Sequence, residues 1–135
     1  MIKEINNLNG KKILLLGVSY RSDVGDTRYT PVEPFYNYLI KEGAKIQLHD
    51  PYVRFWEEVS LEVDESIDKV FESELNVVVI TTAHKEYKNS EYLIKLLLNK
   101  EELFIFDTVG LFTNSQISQL SKKHKVRVVG RGDIN

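Results

Sequence analysis

Short apolar runs at residues 13–16, 46–48, 77–80, 104–106 and 126–129 alternate with segments of helical period, and this alternation constrains the fold more than any other feature. Each run is bounded by polar or glycine-containing stretches, as expected of strands buried on both faces of a sheet. Between the first two runs, Val32, Phe35, Tyr36, Leu39 and Ile40 fall on one helical stripe. Thr30 and Glu33 have capping-box spacing, Pro31 suits the first helical position and Gly43 follows the end. Pro34 is tolerated because it lies in the opening turn. Ser66 is placed to cap a helix burying Ile67, Val70 and Phe71, and Ser90 one burying Leu93, Ile94, Leu97 and Leu98. Thr113 and Gln116 repeat the box before Ile117 and Leu120. The order βαβαβαβαβ predicts an α/β fold, a parallel five-stranded sheet with helices on both sides.

A chain of 135 residues suits one domain. Residues 1–11 are expected to be a leader or linker, and 12–135 the domain. The 18 basic and 20 acidic residues give a net charge of −2 with signs interspersed, which argues against a nucleic-acid partner. No cysteine is present, so this chain supplies neither a disulfide, a thiolate metal site nor a thiol nucleophile. His49, His84 and His124 lack metal-ligand spacing, and no metal is expected. No apolar run approaches the ~18 residues of a membrane span. The first residues carry no extended apolar stretch of a signal peptide, so a cytoplasmic protein with no membrane contact is expected. The segment 51–65 is less regular. Its Tyr52, Val53, Phe55 and Trp56 either tuck against the sheet or form a docking surface, and burial is the more general fate of aromatics.

The most informative stretch is 17–31, GVSYRSDVGDTRYTP. It leaves the carboxyl end of the first strand, where parallel-sheet proteins place their chemistry, and enters a helix N-terminus, which favours anions. Arg21 and Arg28 add positive charge with bidentate geometry for phosphate or carboxylate. It is not a dinucleotide fingerprint: Ser19 and Ser22 stand where the later glycines would be needed. Asp50, closing the second strand, could be mistaken for a ribose-binding acid, but before Pro51 it reads as a turn former. His84 could act as an acid or base, yet no partner acid is placed by the sequence, and a hydrogen-bonded loop residue is the simpler reading.

Residues 17–31 resemble the signature G-[LV]-[AS]-[FY]-K-x-x-[TV]-x-D-x-R-x-[ST]-P of the UDP-glucose/GDP-mannose dehydrogenase family. Downstream, HDPYV at 49–53 resembles its [YH]-D-P-x-V, TAHKEY at 82–87 its T-x-H-x-E-[FY], and FDTVG at 106–110 its [FVI]-D-x-[RK]-[GNR]. The matches occur in family order from Lys12 to Gly132.

The resemblance implies the C-terminal, nucleotide-sugar-binding domain of an NAD-dependent enzyme that oxidises a sugar C6 alcohol to a carboxylate. It implies a three-layer α/β/α, Rossmann-like domain with sheet order 3-2-1-4-5, and places the loops 18–30 and 107–112 at the switch point. It further implies that Tyr20, Arg21 and Asp107 contact a UDP-sugar or GDP-sugar, that Arg28 faces the cofactor cleft between domains, and that Asp26 and Thr27 hold the loop. NAD would belong to the full enzyme and no cofactor to this chain alone; the missing NAD-binding and catalytic part would be a partner, in a homo-oligomer. Arg21 stands where the family commonly has lysine, and Val109 where it has a basic residue beside the nucleotide. The D-T-x-G form leans towards N-acetylated hexosamines. Two other readings compete: a non-catalytic binding or interaction module paired with a separate catalytic subunit, and a free-standing flavodoxin-like reductase, which only the fold class favours.

Overall fold

The computed structural model describes residues 7–129. In chain order the elements are β1 (Lys12–Leu16), α1 (Val32–Lys41), β2 (Lys45–His49), a hairpin of β3 (Phe55–Trp56) and β4 (Leu61–Glu62), α2 (Ile67–Glu72), β5 (Val77–Ile80), α3 (Glu91–Leu98), β6 (Phe104–Asp107), α4 (Asn114–Ser121) and β7 (Lys125–Val128). The apolar runs are the strands of one parallel sheet, ordered β2-β1-β5-β6-β7.

Beyond β2, Asp64 forms a parallel bridge with His49. Its N–H reaches the Leu48 carbonyl at 3.0 Å and its carbonyl accepts from Asp50 at 3.1 Å. With that bridge as the third position, the sheet has the expected 3-2-1-4-5 pattern; β5 and β6 are fourth and fifth, and β7 lies outside them. One consequence differs from the expectation. The strand beside β1 across the switch is β5, so the loop facing 18–30 is the one that begins at Thr81, and the 107–112 loop lies one strand further out. The third position is a bridge rather than an apolar run, which is why counting apolar runs misplaces the switch.

The two-residue period of the strands divides the core. Leu14, Leu16, Val78, Ile80, Ile105 and Val126 pack with α2, α3 and α4 on one face. Ile13, Leu15, Leu48, Val77, Val79 and Phe106 pack with α1 and the hairpin on the other. Leu8, ahead of β1, joins this second cluster. The hairpin buries Trp56 completely, edge-on to Tyr36 with ring centroids 5.5 Å apart, while Phe55 stays half exposed.

Three helices are capped as their sequences predict: Ser66 accepts from the Lys69 N–H, Ser90 from the Leu93 N–H, and Thr113 with Gln116 forms a full capping box. Helix α1 differs. Thr30 Oγ1 accepts from the Val32 N–H at 3.3 Å and the Thr30 carbonyl from the Glu33 N–H at 3.3 Å. With Pro31 carrying no N–H, the first donors of α1 are thereby satisfied locally, so this helix end does not offer those amides to an anion. No helix among the described residues is long and apolar enough to cross a membrane.

Candidate functional site

The loops after β1, β2 and β5 meet at the carboxyl edge of the sheet, and a buried carboxylate ties them together. Asp50 is fully buried at the end of β2. Its Oδ2 accepts from the N–H of Val18 at 2.9 Å, the N–H of Ser19 at 3.2 Å and the Ser19 hydroxyl at 2.9 Å, while Oδ1 accepts from the Tyr52 N–H at 2.8 Å. His84, also fully buried, places Nε2 2.9 Å from the same Oδ2. Burial alone would raise the Asp50 pKa. The hydrogen bonds from His84, Val18 and Tyr52 outweigh that and hold it below the usual carboxylate range.

The second imidazole nitrogen, His84 Nδ1, accepts from the Asp23 N–H at 2.8 Å. In return the Asp23 carboxylate accepts from the Lys85 N–H at 2.6 Å. Thr82 Oγ1 donates to the Ser19 carbonyl at 3.0 Å, and Thr81 Oγ1 to the carbonyls of Leu16, at 3.0 Å, and Gly17. Close approach replaces side chains here. A Cβ on Gly17, whose φ is +106°, would lie 2.4 Å from Thr82 Cβ, and one on Gly25 would lie 2.4 Å from the Tyr52 carbonyl. Tyr52 lies over His84 with centroids 4.9 Å apart; its hydroxyl donates to Glu86 at 2.9 Å, which pushes the phenol up to about 12.

Of the site residues expected from sequence, Tyr20 and Arg21 are exposed on the loop after β1. The amides of Arg21 and Ser22 have no acceptor among the described residues. Arg28 folds back on Asp26, with Nε 3.1 Å from Oδ1 and a terminal nitrogen 3.0 Å from Oδ2. The side-chain hydrogen bond from Arg28 is the main reason the Asp26 pKa falls to about 2. Arg28 is therefore already paired, whereas Arg21 forms no salt bridge among the described residues. Asp26 also accepts from the Arg28 N–H at 3.0 Å, and its carbonyl from the Tyr20 N–H at 2.7 Å. Thr27 Oγ1 donates to Glu58 at 2.7 Å, linking the loop to the turn of the hairpin.

Asp107 is not on the surface. It is fully buried, with Oδ1 accepting from the Val109 N–H at 3.2 Å and Oδ2 from the Phe112 N–H at 2.9 Å. Val109 is partly exposed on the turn these bonds make.

Asp50 and His84 are the residues that sequence reasoning undervalued. An acid followed by proline has the look of a turn former, and a histidine 34 positions away shows no partner in the sequence. The recurrence of both in the motifs HDP and TAH was the available signal.

The site does not fit a dinucleotide. Val18 and Ser19 amides, which a fingerprint loop would turn to a pyrophosphate, are occupied by Asp50, and Asp50 itself points inward instead of to a ribose. Among the described residues, no cluster of three or more histidine or acidic side chains could hold a metal. A groove of about 730 Å³ between α3 and α4, lined by Ile94, Leu98, Gln116 and Gln119, shares no residue with the loops after β1 and β6. Its charges, Glu91 and Lys95, are of opposite sign and carried by one helix, so the chemistry points to the strand ends rather than to this groove.

Residues 14–114 match the model of the UDP-glucose/GDP-mannose dehydrogenase family, UDP binding domain. The UDP-N-acetyl-D-mannosamine dehydrogenase of Methanocaldococcus jannaschii is 29% identical over 97% of this chain, which spans 30% of that relative. UDP-glucose 6-dehydrogenase 1 of Arabidopsis thaliana is 44% identical over 36% of the chain, which is 10% of that relative. The crystal structure of the NDP-N-acetyl-D-galactosaminuronic acid dehydrogenase of Methanosarcina mazei Go1 superposes with a TM-score of 0.80 over 96% of this chain and 27% of its own, at 22% identity, which speaks for the fold alone. The chain thus spans about 30% of the length of the curated relatives that match nearly all of it.

Proposed function

This chain belongs to the UDP-glucose/GDP-mannose dehydrogenase family, and we propose that it serves there as the domain that grips the nucleoside diphosphate half of a nucleotide sugar. The observation that carries the reading is the loop 18–30. Its inner amides are tied down by buried Asp50 and His84, while Tyr20, Arg21 and Ser22 are exposed and the amides of Arg21 and Ser22 have no acceptor among the described residues. Fixed donors beside an exposed guanidinium suit a phosphate, because their alignment need not be organised on binding. Tyr20 and Arg21 contact the ligand. Asp107 acts from behind, setting the 108–112 turn that lines the same edge.

In the whole enzyme, NAD and a catalytic cysteine would be supplied by another part of a longer protein or by a separate subunit, and the sugar C6 alcohol oxidised to a carboxylate. Exposed Tyr20, Val24 and Tyr29 belong to the surface that such a part, or a second copy, would cover. Arg28, pinned by Asp26, borders that cleft. The substrate is a UDP-N-acetylhexosamine, a reading supported by the D-T-x-G turn and by the names of the relatives aligned over nearly the full chain. One observation favours a second reading, a binding module without catalysis: Val109 stands where the family signature has a basic residue.

The test is titration of UDP into this chain by calorimetry and amide NMR. Binding should be salt-sensitive and shift residues 18–30 and 108–112. Charge-assisted hydrogen bonds are worth roughly 1.5–3 kcal/mol, so Arg21→Ala should weaken binding about ten- to a hundred-fold, and Val109→Arg should tighten it. Unchanged affinity in Arg21→Ala, with shifts elsewhere, would sink the site assignment.

A further inference from the structure

The Asp50–His84 pair does more than close two strand ends. Its two residues come from the ends of β2 and β5, yet the free nitrogen of the imidazole is turned to the middle of the loop after β1. An N–H donates only to an unprotonated nitrogen, so Nδ1, which receives the Asp23 amide at 2.8 Å, carries no proton, and Nε2 carries the one given to Asp50. A single neutral tautomer satisfies both partners, and the carboxylate of Asp50 selects it. Asp23 sits at φ +64°, a left-handed conformation that a non-glycine residue adopts at some cost. The clasp with His84 and Lys85 holds it there.

We propose that His84, oriented by Asp50, is the positioning residue of the ligand loop: it fixes Asp23 in its left-handed turn and so aims the adjoining Arg21 and Ser22 amides at the ligand. The inference rests on the reading of this loop as the nucleotide grip. His84 itself is fully buried and has no surface to offer a ligand. The groups that meet it are Asp50, the Asp23 amide and the rings of Tyr52 and Tyr87, with His49 on the far side of Tyr87. A residue that merely filled space there would need neither nitrogen.

Two substitutions separate its two bonds. His84→Gln can keep the donor to Asp50 but withdraws the acceptor from Asp23; His84→Asn keeps an acceptor near the Nδ1 position and withdraws the donor. Hydrogen exchange of the Asp23 amide, read without ligand, should speed up at least ~10-fold in His84→Gln and stay within about twofold of wild type in the folded fraction of His84→Asn. UDP affinity should follow the same order, falling about tenfold in His84→Gln only. Imidazole ¹⁵N spectra of wild type should show the Nε2–H tautomer. An Nδ1–H or doubly protonated ring, or equal Asp23 exchange in wild type and His84→Gln, overturns the proposal even if a variant folds poorly. If wild type fails to bind UDP while the exchange pattern holds, the nucleotide reading falls and the clasp of Asp23 stands.

Discussion

Two loops at the same edge of the sheet are held in opposite ways. The loop after β1 is held mainly from outside: besides its internal bonds to Asp26 from Tyr20 and Arg28, it is bonded by Asp50, Glu58, Thr82 and His84, at sequence separations of 31 to 63 residues. The loop after β6 is held mostly from within, by one aspartate whose two oxygens accept amides two and five residues on, while Thr108 anchors its start to β5 by donating its N–H and hydroxyl to the Ile80 carbonyl at 3.2 and 2.6 Å. Both use a buried carboxylate as acceptor for backbone donors, which would otherwise be buried without partners. The contrast shows which part of the edge depends on the assembled fold. The turn 108–112 closes on its own aspartate once β6 lies beside β5. The loop after β1 acquires its shape only when β1, β2 and β5 are side by side.

The contrast is broken most severely at Asp50. Asp50→Ala leaves the buried donors of Val18, Ser19, Tyr52 and His84 without an acceptor together, and should destabilise the chain by about 3–5 kcal/mol in urea unfolding. A loss under ~1 kcal/mol would mean that water replaces these bonds and that the loop is not held from outside.

A smaller and more local effect is expected at Asp107. Asp107→Ala leaves two amides without an acceptor, for a loss of about 1–3 kcal/mol, with chemical-shift changes confined to residues 108–112 and the adjoining end of β7. Shifts spreading to residues 18–30 would show that the two loops are coupled rather than independent.

The mildest probe is acid. Burial pushes the His49 pKa down where its ring bonds Tyr87 and the Glu65 carbonyl, and burial does the same to His124, whose Nδ1 accepts from the Leu103 N–H. A folded-state pKa below the unfolded value of about 6.5 means that the unfolded chain binds protons first. Their contribution is therefore fully present above that pH and is lost as pH falls through the folded-state values. Urea midpoints should be flat from pH 8 to 7 and decline below about 6.5. His124→Gln should flatten part of that decline without touching UDP binding, since it lies at the amino end of β7, away from both loops; a midpoint that rises on acidification would contradict the neutral assignment.

Much of this was legible in the chain. Strand positions follow from apolar runs that need burial on both faces, and the caps at Ser66, Ser90 and Thr113 from hydroxyls placed three residues before an amide that needs an acceptor. The motif order identified the family. Such features depend on residues within one helical turn or one strand of each other, so composition and spacing determine them. The tertiary structure alone decided that β5 lies beside β1, because the third sheet position is a single bridge at Asp64 with no apolar run to announce it. It alone turned Asp107 inward, drew Arg28 back onto Asp26, and brought Asp50 to His84 across 34 residues. A carboxylate or an imidazole can bond water, a neighbour or a distant amide with similar energy. Which partner it takes is set by where the packed sheet removes the water, and that is a property of the assembled strands rather than of any segment.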